Sequence, residues 1–230
     1  MRWIATILVA LAAGFAGAAA WDYAGLGPDT TRDYLMANPE VLPEAMAELQ
    51  RRDTTARIEP VRAELETPFD GAVLGNPNGA ITLVEFSDYA CGFCRQSLAD
   101  VNALIEENPD LRVVIREYPV LSEASADAAR MALAAAAQGR FEEFHNAMFA
   151  QDGLTPDAID AAAEAAGVDI AQARSAMVSG NFDSELQNNV FLGQSLRLSG
   201  TPAFIVGDTL LNGAVGLEAM ADAVAEARDS

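Results

Sequence analysis

The apolar positions of this chain keep no single period, and the places where the period changes mark its elements. Residues 3–21 form an uninterrupted apolar run behind Met1-Arg2, just long enough for one bilayer span. Residues 30–65 carry helical spacing. Asn38-Pro39 reads as a cap followed by a first-turn proline, and Val41, Leu42, Ala45, Met46 and Leu49 make one apolar stripe. Residues 67–79 hold Pro68, Gly71, Gly75, Asn76, Pro77, Asn78 and Gly79 and read as a linker. After it, residues 81–86 are a dense apolar run suited to a buried strand, helical spacing follows through about residue 107, and residues 111–117 predict a second strand. Two buried strands joined by a helix make a β-α-β unit with a parallel pair.

Residues 122–198 are helical in pattern throughout, with Thr155-Pro156 marking one of the helix starts. Strand character resumes at 203–206, turns at Gly207-Asp208, returns through 209–211, and gives way to a helix over 217–227. This order predicts an α/β chain with a thioredoxin-like fold, an inserted α-helical domain and an N-terminal helical segment. The expected division is a signal peptide over 1–20, the helical segment over 21–66, the linker over 67–79, a thioredoxin-like domain over 80–121 and 199–230, and the insertion over 122–198.

Charge narrows the partners. The formal net charge is −20, and because residues 1–20 contain Arg2 and no acid, their removal takes it to −21. Such a chain repels nucleic acid and anionic lipid surfaces, so no nucleic-acid partner is expected. The small residues Ala18-Ala19-Ala20 form a signal-peptidase site, which predicts export with cleavage after Ala20. An uncleaved anchor is the alternative, but the many Ala and Gly residues of the run suit one poorly.

The chemistry centres on the only two cysteines, Cys91 and Cys94, in the stretch Cys91-Gly92-Phe93-Cys94 at a strand-to-helix junction. Unpaired amide groups at a helix start favour a thiolate there, so Cys91 reads as the attacking thiol and Cys94, one turn in, as the resolving one. An inert disulfide is a poor alternative because a bridge closing so short a loop constrains the unfolded chain little. A zinc site fails on ligand count, since His145 is the only histidine, and no metal is expected. Glu85, six residues before Cys91 in the apolar run, is a candidate proton acceptor for Cys94, with a solvent-facing edge position as the alternative. His145 lies amid Phe141, Phe144 and Phe149 and reads as packing rather than catalysis.

Three stretches, Phe86-Ser87-Asp88-Tyr89-Ala90-Cys91-Gly92-Phe93-Cys94-Arg95, Arg116-Glu117-Tyr118-Pro119 and Gly200-Thr201-Pro202-Ala203-Phe204, together resemble the DsbA-like family of bacterial exported thiol–disulfide oxidoreductases. Residues 33–40 and the helix after them look like the ScsC/Com1-like branch. The resemblance implies a periplasmic enzyme with no cofactor beyond a redox-active Cys91–Cys94 disulfide. It makes Pro202 a cis-proline facing the cysteines, and it places Thr201, Gly92 and Phe93 where client and potential are tuned. Strongly oxidising relatives carry a histidine at the position of Phe93. Implied partners are unfolded or misoxidised exported proteins and a membrane redox partner, either a quinone-linked oxidant or an electron donor. The apolar stripe and the ScsC-type relatives imply a homo-oligomer through residues 30–65. Oxidase and isomerase directions stay open, and a client-binding chaperone with an incidental cysteine pair is the alternative of another class.

Overall fold

The computed structural model describes residues 2–24 and 30–229. The chain divides into two compact units, Met1–Gln50 and Arg51–Ser230. In the first, α1 (Arg2–Tyr23) and α2 (Thr30–Ala37) precede α3 (Val41–Ile58), which continues into the second unit. Residues Trp3–Tyr23 are apolar and long enough to cross a membrane. The expected break falls at Asn38, whose side-chain amide donates to the Tyr34 carbonyl at 2.9 Å and caps α2. Leu42, Met46 and Leu49 on α3 are exposed.

The second unit begins before the expected boundary. Pro60 has no N–H to donate, so regular helix ends in a 3-10 turn, Glu59–Val61, and restarts as α4 (Arg62–Glu66). Ile58 and Leu65 enter the core of this unit, so residues 51–66 are part of it rather than of a separate N-terminal segment. The stretch expected as a linker is also partly sheet. β1 (Val73–Gly75) pairs antiparallel with the later strand Leu111–Glu117, and Ala72 and Leu74 are buried. Three residues between glycines are too few to show a period, which is why pattern reading misses them.

The remaining elements follow the expected order: β2 (Ile81–Ser87), α5 (Gly92–Glu107), β3 (Leu111–Glu117), α6 (Glu123–Ala136), α7 (Phe141–Phe149), α8 (Pro156–Ala165), α9 (Ile170–Val178), α10 (Asp183–Ser195), β4 (Ala203–Val206), β5 (Thr209–Asn212) and α11 (Leu217–Arg228). Side chains cap the helix starts of the insertion. The Ser122, Thr155 and Asp169 oxygens accept from the amides of Ser125, Ala158 and Gln172 at 3.1, 3.2 and 2.9 Å. The sheet order is β1-β3-β2-β4-β5, with β2 and β3 parallel and every other pair antiparallel.

Strand alternation then assigns two faces. Leu83, Val113, Ile115, Phe204 and Val206 pack with α5, α11 and the helical insertion in the larger core. Val84, Phe86, Val114, Ala203 and Ile205 pack with Ile58, Leu65, Tyr118, Leu192 and Leu196 in the smaller one. Odd-numbered polar residues of β2 and β3, Glu85, Ser87 and Glu117, therefore share the larger-core face, and Arg116 takes the other.

Candidate active site

Cys91 is the N-cap of α5, in extended conformation, and its sulfur accepts the Cys94 amide at 3.4 Å. Its thiol donates to the Thr201 carbonyl at 3.2 Å. Thr201–Pro202, immediately before β4, is a cis peptide, and the Thr201 carbonyl lies at the Cys91 sulfur. Both cysteines are free thiols, and Cys94 is 1% exposed against 7% for Cys91. Both are buried, and Cys94 is the deeper of the two. Gly92 and Phe93 lie on the open side, Phe93 with 63% of its surface exposed. Arg95, in the first turn of α5, is exposed.

Glu85 does not face solvent. β2 lies between β3 and β4, and Glu85 is only 3% exposed, so the edge-strand alternative is excluded. Burial raises its carboxyl to about 7. Burial also pushes the Cys94 thiol far up, and the nearby charge of Glu85 adds to the effect. The pair is thus a buried acid poised near neutrality beside a thiol that holds its proton tightly.

Several residues that pattern reading passed over hold this geometry. Asp88 accepts from the Ala90 amide at 2.8 Å with one carboxylate oxygen and from the Val120 and Leu121 amides at 3.0 Å with the other. Its own carbonyl accepts the Cys91 amide at 2.9 Å, so it ties the cysteine loop to the loop after β3. On the opposite face the buried Arg116 guanidinium donates to the carbonyls of Glu64, Leu65 and Thr67, to Glu185 at 2.8 Å and to Asn189 at 3.2 Å. It fastens α4 and α10 to the end of β3. Tyr89 donates its hydroxyl toward Glu117 and contacts His145, and all three are buried. His145 packs among Phe141, Phe149 and Tyr89 as expected, with this polar contact in addition. The charged pair Arg116-Glu117 ending an apolar strand was the available signal. Among the described residues no cluster of His, Cys, Asp and Glu fits a metal ion.

Residues 82–225 match the family of DSBA-like thioredoxin domains, and residues 31–56 match the copper resistance protein ScsC N-terminal domain. A thioredoxin-like oxidoreductase from Silicibacter pomeroyi DSS-3 is 38% identical with a TM-score of 0.70, over 74% of this chain and 98% of that one. The thiol-disulfide exchange protein alpha-DsbA2 from Wolbachia pipientis is 26% identical with a TM-score of 0.71, over 77% and 97%. Salmonella enterica Typhimurium BcfH, 26% identical with a TM-score of 0.66, aligns over 93% of this chain and 99% of its own. Among curated proteins, the Na(+)/H(+) antiporter NhaA 3 of Salinispora tropica is 30% identical over 158 residues, 67% of this chain. The chain spans only 24% of that protein's length, so the likeness concerns one part of it.

Proposed function

The chain belongs to the family of DSBA-like thioredoxin domains, and from that premise we propose that it exchanges disulfides with exported proteins in the periplasm through Cys91 and Cys94. The observation that carries the reading is the asymmetry of the pair: an N-cap sulfur facing the Thr201 carbonyl before a cis-proline, and a buried partner above a buried carboxyl.

In the oxidising direction a client thiolate attacks the Cys91 sulfur of the Cys91–Cys94 disulfide. The bond between the two cysteines breaks, a mixed disulfide forms, and Cys94 leaves with the electron pair and takes a proton from Glu85. A second client thiolate attacks the client sulfur of the mixed disulfide and releases Cys91. The client loses two electrons and the pair gains them. Reduction or isomerisation runs the same steps from the dithiol, with Glu85 accepting the Cys94 proton. A carboxyl near 7 serves both directions at neutral pH. Thr201 and Pro202 form the wall against which a client strand lies, and Phe93 offers it an apolar contact. A membrane redox partner resets the pair, a quinone-linked oxidant or an electron donor according to direction. ScsC and a periplasmic thioredoxin-like protein among the relatives, together with the apolar α1, support an exported chain with a cleaved leader.

Trapping tests the division of labour. C94S accumulates mixed disulfides with client proteins, and C91S accumulates none. Equal trapping by the two variants would overturn the assignment, and full client protection by C91S would favour the chaperone reading.

A further inference from the structure

Beneath the cysteine loop three buried polar side chains meet that the exchange steps above do not use. Tyr89 lies two residues before Cys91, Glu117 ends β3, and His145 sits in the middle of α7. The Tyr89 hydroxyl is 3.0 Å from Glu117 Oε1 and 3.0 Å from His145 Nδ1, although the three are 28 and 56 residues apart along the chain. Rings of Phe144 and Phe149 close around Tyr89.

A hydroxyl has one hydrogen to give, so a tyrosine between a carboxyl and an imidazole must choose its direction. With Glu117 ionised, Tyr89 donates to the carboxylate and accepts from Nδ1–H of His145. With Glu117 protonated, the carboxyl donates to Tyr89, Tyr89 donates to a bare Nδ1, and the ring hydrogen sits on Nε2. Both arrangements satisfy both contacts, and they differ by one proton. The conversion balances as a relay: a proton reaches Nε2, the Nδ1 hydrogen passes to the Tyr89 oxygen, and the hydroxyl hydrogen passes to Glu117. No heavy atom has to move.

We propose that Glu117, Tyr89 and His145 form a redox-linked proton store, protonated more fully when the Cys91–Cys94 pair is reduced than when it is a disulfide. The inference rests on the thiol–disulfide reading above. Reduction of the disulfide by two electrons, with the Glu85 proton taken by Cys94 and a second proton from solvent taken by Cys91, leaves two thiols and an ionised Glu85. Glu85 is in register with Ile115 on the neighbouring strand, so it shares a face with Glu117 two residues on, and its charge favours a proton on Glu117. The three act on the pair through charge, as positioning residues.

Among the described residues no cation acts on the Glu117 carboxyl. Glu85 from β2 and Asp88 from the cysteine loop are the acids that face it, and both disfavour its ionised form. Cys94 from α5 stands next to Glu85. Arg116, the neighbouring cation on β3, points through the other face toward Glu185 and the carbonyls of α4. From α10, Asn189 donates to the Glu117 backbone carbonyl at 3.1 Å and leaves the carboxyl to Tyr89. Burial pushes the Glu117 carboxyl well up and holds His145 down at about 3. The exchangeable proton therefore resides on the carboxyl, and the imidazole reports it by changing tautomer.

Because His145 is the only histidine, its ring nitrogens give a single set of signals in the full chain. Nitrogen-15 spectra of histidine-labelled protein, recorded across pH with the pair oxidised and again reduced by dithiothreitol, decide the matter. The expected result is an Nε2–H tautomer at low pH that gives way to Nδ1–H, with the midpoint displaced to higher pH in the reduced form. E117Q keeps an acceptor for Tyr89 but abolishes the tautomer change. In the window between the two midpoints it also removes up to a further tenfold change per pH unit in the equilibrium with glutathione, about 30 mV for this two-electron couple. A tautomer insensitive to pH, or one titrating identically in the two redox forms, would overturn the proposal, and the wild-type spectra alone suffice should E117Q fail to fold. A chain that forms no Cys91–Cys94 disulfide at all, seen in the thiol count before the spectra, would instead overturn the oxidoreductase reading.

Discussion

Glu85 holds its carboxyl in the middle of a central strand, and the cost of keeping it there depends on pH. Its folded value of about 7 lies above the 4.5 of a solvated glutamate. Between those values the folded chain retains a proton that the unfolded chain has released, so stability falls as pH rises through that window. E85Q removes this dependence. Over pH 4 to 8 the wild type should lose about 3 kcal/mol relative to E85Q, read from urea midpoints at the two ends. His145 works in the opposite sense. Held at about 3 against an ordinary 6.5, it stays neutral in the fold, and stability falls as acidification through 6.5 protonates the unfolded chain first. H145N should flatten the loss below pH 6 in the same assay. Equal slopes in wild type and either variant would remove that residue from the account.

At the scale of elements, α10 is placed by what one residue lacks. A Cβ on Gly193 would stand 2.6 Å from Tyr118 Cε2, and the Tyr118 ring is itself wedged edge-on against Phe86 with centroids 5.6 Å apart. G193A gains about 1 kcal/mol of helix propensity. It must also displace a confined ring, which costs about 1–3 kcal/mol, so destabilisation wins. Replacing the ring as well, in the pair G193A with Y118L, should recover part of the loss when thermal midpoints are compared. If G193A alone raises the midpoint, the close approach does not govern the packing of α10. The Arg116 contacts to α4 and α10 belong to the same joint, which is why residues 51–66 cannot be cut away without exposing a buried guanidinium.

For the whole molecule the open question is what covers α3. Leu42, Met46 and Leu49 are exposed in the first unit, and residues 31–56 match the ScsC N-terminal domain. A self-associating segment is the proposal these observations support. Replacing all three with glutamate should convert an oligomer to a monomer in light scattering while leaving thiol exchange with a small disulfide intact, because the cysteine pair lies wholly in the second unit. A wild-type chain that scatters as a monomer would end the proposal.

The local facts were legible in the sequence. The strand at 81–86, the cysteine pair at its exit, the helical run before 198 and the returning strands are short-range patterns, each legible in spacing and composition alone. Tertiary structure decided the rest because it depends on contacts between distant residues. Glu85 could be assigned to the interior only once β3 and β4 flanked β2. The pairing of residues 73–75 with 112–114 turned an expected linker into a sheet edge. Arg116 and Glu117 are neighbours in sequence, yet strand alternation sends them to opposite cores, one to brace α4 and α10 and the other to meet Tyr89. Period and composition report which side chains are apolar. They do not report which buried polar groups will meet, since that is settled by the register of strands and helices far apart along the chain.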